Sequence, residues 1–370
     1  MRPVWSQGGR PCQTVPVIEW VRVQAPVRVL DAGGWTDTWF ARTGKVCHVA
    51  AGPGAEVFAR RSYPRGAGAY DGAATVQLRV PDFADEYAFS TDAPPGRHPL
   101  LEATLCRWAP KGAHLEVRLR SEVPPGSSLG TSATVVVALL TALRALSGGG
   151  ADRLDLARAA HEIETVDLCL QSGVQDQAAA AFGGANVVDI APYPRFTVSQ
   201  LRIPASTWEA LGRRVVTVYL GARHYSSAMH ETVIKRLAGD EDYAERLLAP
   251  LRAAAEEAAS ALVAGDIAAY GEAMITNTIG QMGLHPALVS EPAQDLIDLG
   301  RRHGAVGWKI NGAGGDGGTV TLVGPDDPGP LLAALEHLDG VTVLACSPAP
   351  RERASSTRVD VRRAGAGPAL

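Results

Sequence analysis

The chain has 370 residues, 46% of them hydrophobic and 20% charged, with a formal net charge of -4. That length suits two domains, and that composition suits an ordinary globular protein. No dense Lys/Arg cluster marks a nucleic-acid surface, and the longest apolar runs are too short to cross a bilayer, so neither nucleic acid nor membrane is an expected partner. Residues 1–17 show neither periodicity nor a charged-then-apolar leader, and a cytoplasmic protein is expected. Cys12, Cys47, Cys106, Cys169 and Cys346 are scattered with no C-x-x-C pair, which reads as free thiols.

In chain order, residues 17–30 read as a strand interrupted at Pro26. A Gly-containing turn with two acids follows, Asp31-Ala32-Gly33-Gly34-Trp35-Thr36-Asp37-Thr38. Strands are expected at 46–51, 55–61 and 74–80, with a Gly-rich turn over 66–72, and a short helix at 100–108. Alternation over His114–Arg120 gives a strand with one buried face, and residues 134–143 read as a buried helix. Residues 153–170 carry apolar positions at helical spacing, and 185–190 form a strand after Gly183-Gly184. Pro192 and Pro194 suggest a domain junction near 195. Beyond it, 214–221 reads as a buried strand. Helices are expected at 227–237, 243–264, 267–279, 293–303 and 330–338, and strands at 306–310, 319–323 and 341–344. Residues 357–361 offer one last strand. Strands grouped with helices, without regular β-α alternation, favour an α+β fold.

Between the strand at 114–120 and the helix beyond it lies Pro124-Pro125-Gly126-Ser127-Ser128-Leu129-Gly130-Thr131-Ser132-Ala133. A Gly/Ser loop entering a helix presents free backbone N–H groups at a positive dipole end, a geometry that holds an anion. Glycines let the backbone approach phosphate oxygens, and the hydroxyls can serve phosphate or a cation. A capped helix after a tight turn fits the same residues.

This loop resembles the phosphate-binding motif of the GHMP kinases, departing at Thr131 and Thr134 where that family more often has Ser and Ala. Two further stretches resemble the family's signatures in the same order. Ala25-Pro26-Val27-Arg28 through Gly33-Gly34-Trp35-Thr36-Asp37-Thr38 is similar to the N-terminal motif, nearest the fucokinase and heptose 7-phosphate kinase branch. Lys309-Ile310-Asn311-Gly312-Ala313-Gly314-Gly315-Asp316-Gly317 is similar to the C-terminal glycine-rich motif, with Asp316 where glycine is usual. The last stretch also satisfies G-x-G-x-x-G, but a dinucleotide fingerprint opens a helix and residues 319–323 read as strand.

The resemblance implies a two-domain fold: an N-terminal ribosomal-protein-like α+β domain (18–195), a C-terminal ferredoxin-like α+β domain (196–350) and a tail (351–370). It implies an ATP- and Mg²⁺-dependent kinase acting on a sugar or sugar phosphate at its anomeric hydroxyl, of the heptose 7-phosphate or L-fucose type, working as a monomer or homodimer. Pro125, Gly126, Ser127, Ser128, Leu129, Gly130, Thr131 and Ser132 would cradle the ATP phosphates. Ser132 and Glu164 would hold Mg²⁺, and Asp176, with Arg28 beside it, would be catalytic. A neighbouring guanidinium makes a carboxylate a weaker base, so Asp176 would chiefly orient the hydroxyl while Arg28 steadies phosphate charge. Arg28, Gly34, Trp35, Thr36, Asp37, Asp176 and Gly314 would face the substrate, and Gly221-Ala222-Arg223-His224-Tyr225-Ser226-Ser227 could reach it. His224 and His230 lack a third metal-ligand partner in the sequence. The rival readings are a catalytically silent sugar/ATP sensor and a mevalonate-type kinase or diphosphate decarboxylase.

Overall fold

In a computed structural model, residues 18–62, 72–150, 152–221, 226–350 and 358–363 are described. The chain opens with β1 (Ile18–Ala32), β2 (Gly44–Ser62), β3 (Thr75–Val80), β4 (Asp85–Ser90), α1 (Pro99–Trp108) and β5 (His114–Ser121). Helices α2 (Thr131–Leu146), α3 (Arg153–Glu162) and α4 (Gln175–Phe182) precede β6 (Ala185–Ile190) and β7 (Phe196–Gln200). Then come α5 (Ala205–Arg214), β8 (Val215–Tyr219), α6 (Ser226–Leu237), α7 (Glu241–Ala264), α8 (Ile267–Leu284) and α9 (Glu291–Arg302). The remaining elements are β9 (Gly307–Ile310), β10 (Thr319–Val323), α10 (Gly329–Glu336), β11 (Thr342–Val343), β12 (Ser347–Pro348) and β13 (Arg358–Arg363).

Two sheets result. The first runs β13-β1-β2-β5-β3-β4, with β6, β7 and β12 joined through β2; only β3 and β5 pair in parallel. The second is an antiparallel sheet in the order β11-β8-β10-β9. Helix α2 is apolar nearly all round because it is buried nearly all round, with Leu139, Leu143 and Leu146 against the first sheet and Val136, Val137 and Leu140 against α3 and α4. Helices α7 and α8 pack between the sheets, and small residues make the approach possible. Ala254, Ala255 and Ala258 lie against β1 and β2. A Cβ on Gly271 would run into the Val306 carbonyl.

Several elements differ from the sequence pattern, each for a local reason. Pro26 does not break β1. A register shift between Ala25 and Val27 absorbs it on the β2 side, and β13 pairs only Ile18–Gln24 on the other, so no partner needs the missing N–H. Residues 46–51 and 55–61 are one strand, β2, which pairs β6 through its first part and β5 through its second. The single helix expected over 153–170 ends at Glu162 and passes into a π-helical turn, Ile163–Asp167. That turn shifts the phase of the apolar stripe, leaving Val166 67% and Leu170 50% exposed. Strands β4, β7 and β12 and helices α4 and α5 have no counterpart in the sequence reading; β4 has no fully buried position to make its alternation visible. The strand offered at 357–361 is β13, antiparallel to β1. The Gly-rich turn at 66–72 falls mostly outside the described residues, as do Cys12 and the whole of residues 222–225. The other four cysteines are free thiols.

Candidate active site

The loop and helix expected to hold an anion come first. Gly126, Ser128 and Gly130 all adopt left-handed backbone, with φ of 77°, 62° and 76°. Alternating such residues curls the chain so that successive amides converge. Gly130 is the N-cap of α2 and supplies no side chain, so no side chain caps the first amides of the helix. Gly126, Ser128, Gly130, Thr131 and Ser132 line a cavity of about 300 Å³.

The other loop residues build its back. Leu129 is fully buried, and its carbonyl accepts from the Arg28 N–H at 3.1 Å. Ser127 is fully buried; its carbonyl accepts from Thr319 Oγ1 at 2.8 Å, tying the loop to the second sheet. Pro125 stands outside the cavity lining.

Facing the loop is a carboxylate at the start of the next helix but one. Asp176 lies in the first turn of α4, and its Oδ1 accepts from Arg28 Nε at 2.8 Å. The two elements nearly touch, since a Cβ added to Gly130 would fall 3.0 Å from Asp176 Cγ. Arg28 is 3% exposed and also donates through Nη1 to the Ser128 carbonyl (2.7 Å) and to Asp31 Oδ1 (3.1 Å). Burial opposes its charge, but Asp176, Asp31 and Asp37 outweigh burial and hold the guanidinium's pKa above its ordinary value.

Asp37 sits behind this pair and is 2% exposed. Its Oδ2 accepts from the N–H groups of Val174 (2.9 Å) and Gln175 (3.0 Å), so it caps the turn that presents Asp176. Gly173 admits this cap, because a Cβ there would overlap the Asp37 carboxylate. Burial pushes the Asp37 carboxyl up to about 6, the Gln175 N–H opposing the shift and nearby Asp176 adding to it. Trp35 lines the same cavity in left-handed backbone, with φ 76°. Thr36 does not line it: its hydroxyl donates to Gly33 O (2.6 Å) and closes the turn. Gly34 lies behind the wall, against Asp31 and Gln175. Of the C-terminal glycine motif, Gly312 and Ala313 reach the cavity. Gly314, at φ 73°, is instead packed against Leu288.

The π-helical turn aims Glu164 inward, as such turns often do at functional sites. Glu164 is 6% exposed, and its Oε2 accepts from Ser172 Oγ (2.6 Å) and Gln177 Nε2 (2.8 Å). Its Oε1 is buried without a hydrogen-bond partner. Burial pushes the carboxyl up to about 7, against the Ser172 hydrogen bond and helped by Asp176. Glu164 and Ser132 line the same cavity. An orphaned carboxylate oxygen and a hydroxyl lining one cavity fit Mg²⁺, which is commonly held by one or two carboxylates together with substrate phosphates. The uncapped helix amides likewise fit a polyphosphate.

Sequence reasoning gave no individual role to several wall residues. Thr38, Gln171, Ser172 and Gln175 line the cavity, with Leu100 and Leu170 as apolar neighbours. Gln175 Oε1 is buried without a partner. Ser172, Gln175 and Gln177 sit within or beside the stretch around Asp176, and their closeness to it was the available signal. Of the segment at 221–227, residues 222–225 lie outside the described residues, as does the side chain of His230.

Residues 100–184, which hold the loop, Glu164 and Asp176, match the model for the GHMP kinases N terminal domain. The chain is 28% identical over 220 residues to D-glycero-alpha-D-manno-heptose 7-phosphate kinase of Campylobacter jejuni, covering 60% of this chain and 64% of that protein, so the match spans under two thirds of its relative. Among solved structures, a D-glycero-D-manno-heptose 1-phosphate kinase from Bacteroides thetaiotaomicron superposes with a TM-score of 0.66 at 20% identity, covering 89% of this chain and 96% of the other. Mevalonate kinase of Methanococcus jannaschii gives 0.67 at 16% identity, covering 93% and 100%. Both share the two-domain α+β fold. The signature segment, the architecture and the order of the motifs agree: residues 100–184 carry a GHMP kinases N terminal domain, and the chain as a whole shares the fold of these kinases.

Proposed function

We propose that this protein transfers the terminal phosphoryl group of ATP to a hydroxyl of a sugar or sugar phosphate, with Mg²⁺ as cofactor. One observation carries the reading: the Asp176 carboxylate, locked by Arg28, stands against Gly130 at the mouth of an uncapped helix N-terminus. Phosphoryl transfer depends on positioning and charge neutralisation more than on covalent help. The amides of residues 130–133 would bind phosphate oxygens. Ser132 and Glu164 would hold the metal, which when bound supplies charge neutralisation at the phosphates. Asp176 would accept a hydrogen bond from the attacking hydroxyl and orient it. Arg28, whose Nη2 makes no hydrogen bond among the described residues, would offer that donor to the transferred group. Gln175 Oε1 offers an unsatisfied acceptor to a substrate hydroxyl.

The names of the similar proteins support heptose phosphates as the first substrates to try. The same reading divides the chain near residue 195, into 18–195 and 196–350. The test is acceptor-dependent ADP release across neutral sugars, heptose phosphates and mevalonate derivatives, with and without Mg²⁺. ATP binding with no acceptor-dependent turnover anywhere in the panel would replace the kinase reading with the sensor one.

A further inference from the structure

Arg28 and Asp176 are the visible end of a line of buried charge that crosses from one sheet to the other. At the far end, Lys309 on β9 is fully buried. Its Nζ donates to Gln281 Oε1 at 2.9 Å and to the Ile310 carbonyl, and it lies 3.8 Å from Asp31 Oδ2. Asp31 is itself fully buried, and its other oxygen accepts from Arg28 Nη1 at 3.1 Å. Arg28 then spends Nε on Asp176 at 2.8 Å, while its Nη2 faces Gly312 on the cavity wall. Along this line two cations, Arg28 and Lys309, alternate with two carboxylates, Asp31 and Asp176, and the buried Asp37 carboxyl lies behind them.

The backbone goes out of its way to make this contact. Residues 28 and 31 of a regular strand point to opposite faces, because side chains alternate. Here Leu30 takes a left-handed conformation, φ 51°, and the register against β2 shifts between Val29 and Ala32. A bulky residue held at positive φ is strained, and such strain persists where the surroundings over-determine it. The outcome of this distortion is that Asp31 turns to the same side as Arg28. Buried ion pairs are, moreover, an inefficient route to stability, since apolar side chains of similar volume often serve as well.

We propose that Asp31 and Lys309 are positioning residues for the transfer reaction: anchored by Gln281 and the second sheet, they lock the Arg28 fork so that Nε stays on Asp176. This inference rests on the functional reading of Arg28 and Asp176 given above. It predicts that orientation of the reactive pair depends on a residue from the other sheet that never touches substrate.

Three variants test it: D31N, K309M and the double variant D31N/K309M. Each single change leaves buried charge uncompensated and should lower the melting temperature. The double change removes one charge of each sign and should recover most of that loss. If the two residues position Arg28, the stable double variant still turns over on the order of tenfold more slowly, with KM for ATP within about twofold of wild type. A merely structural pair gives the opposite result: the double variant regains kcat together with stability, and the proposal falls. The crystal structure of the double variant supplies a second reading independent of turnover. Arg28 Nε displaced from Asp176 supports the proposal, and Arg28 still in place overturns it. Should the wild-type protein transfer phosphate to no acceptor, the functional reading fails, while this structural comparison still decides the positioning claim.

Discussion

Gly130→Ala is the sharpest single perturbation of the site, because one methyl group carries two separable penalties. The first is conformational. Gly130 has φ 76°, and an L-residue held in left-handed backbone costs about 1–2 kcal/mol. The second is steric and specific to the chemistry. The new Cβ would lie 3.0 Å from Asp176 Cγ and 3.2 Å from its Cβ and Oδ2, so the carboxylate must retreat by several tenths of an ångström. Asp176 is fixed by the 2.8 Å bond to Arg28 and cannot retreat without disturbing it. Displacements approaching 1 Å in a positioned group can cost ~100-fold in rate, so a tenfold to hundredfold loss in kcat is expected. Gly340→Ala is the control: Gly340 has φ 79° but nothing within 4 Å of its added Cβ. Both variants should lose similar stability in urea denaturation, and only Gly130→Ala should lose turnover per folded molecule in a coupled ADP assay. Equal kcat in the two variants would refute the claim that the loop and Asp176 form one machine.

Asp176→Asn should abolish turnover while leaving ATP affinity close to wild type by calorimetry; near-normal turnover would remove Asp176 from the mechanism. Burial raises the carboxyls of Glu164, from 4.5 to about 7, and Asp37, from 3.8 to about 6, so the folded chain holds these protons more tightly than the unfolded one. Their contribution to stability is present at low pH and is lost as pH rises through about 6 to 7, and metal-free melting temperature should fall over that window. Binding of a cation requires the ionised carboxylate. Added Mg²⁺ should therefore raise the wild-type melting temperature more at pH 8 than at pH 6, and Glu164→Gln should abolish that difference. Thr319→Val removes the buried 2.8 Å hydrogen bond to the Ser127 carbonyl and should cost about 1–3 kcal/mol of unfolding free energy in urea titration.

The chemistry was legible in the sequence wherever it lay in one short stretch. The loop at 124–133 shows its glycines, its hydroxyls and the helix that follows. Asp176 and Glu164 could be found by their place in a family pattern. What could not be read was pairing across the chain. Nothing near Asp31 announces Lys309, because the two meet only after β9 and β1 have been brought together by α8. Asp37 read as a residue for a sugar hydroxyl. In the fold, one of its oxygens caps the turn at Val174 and Gln175, a partner set by tertiary packing. The π-helical turn was invisible for another reason: an apolar stripe over 153–170 looks the same whether or not one turn holds an extra residue. Helix α5 was missed although Trp208 and Leu211 stand one turn apart on it and meet the core; it is short, with only Thr207 and Leu211 fully buried.

The return of β13 to the edge of β1 has a bearing on how the protein is made. The strand that carries Arg28 is completed by β13, a segment synthesised long after it. Until then its outer hydrogen-bonding edge stays open, and an early-folding N-terminal half exposes a row of unsatisfied amides and carbonyls to any passing chain. Expression fragments cut between the two sheets should for this reason self-associate, and supplying residues 358–363 as a peptide should restore them to monomers.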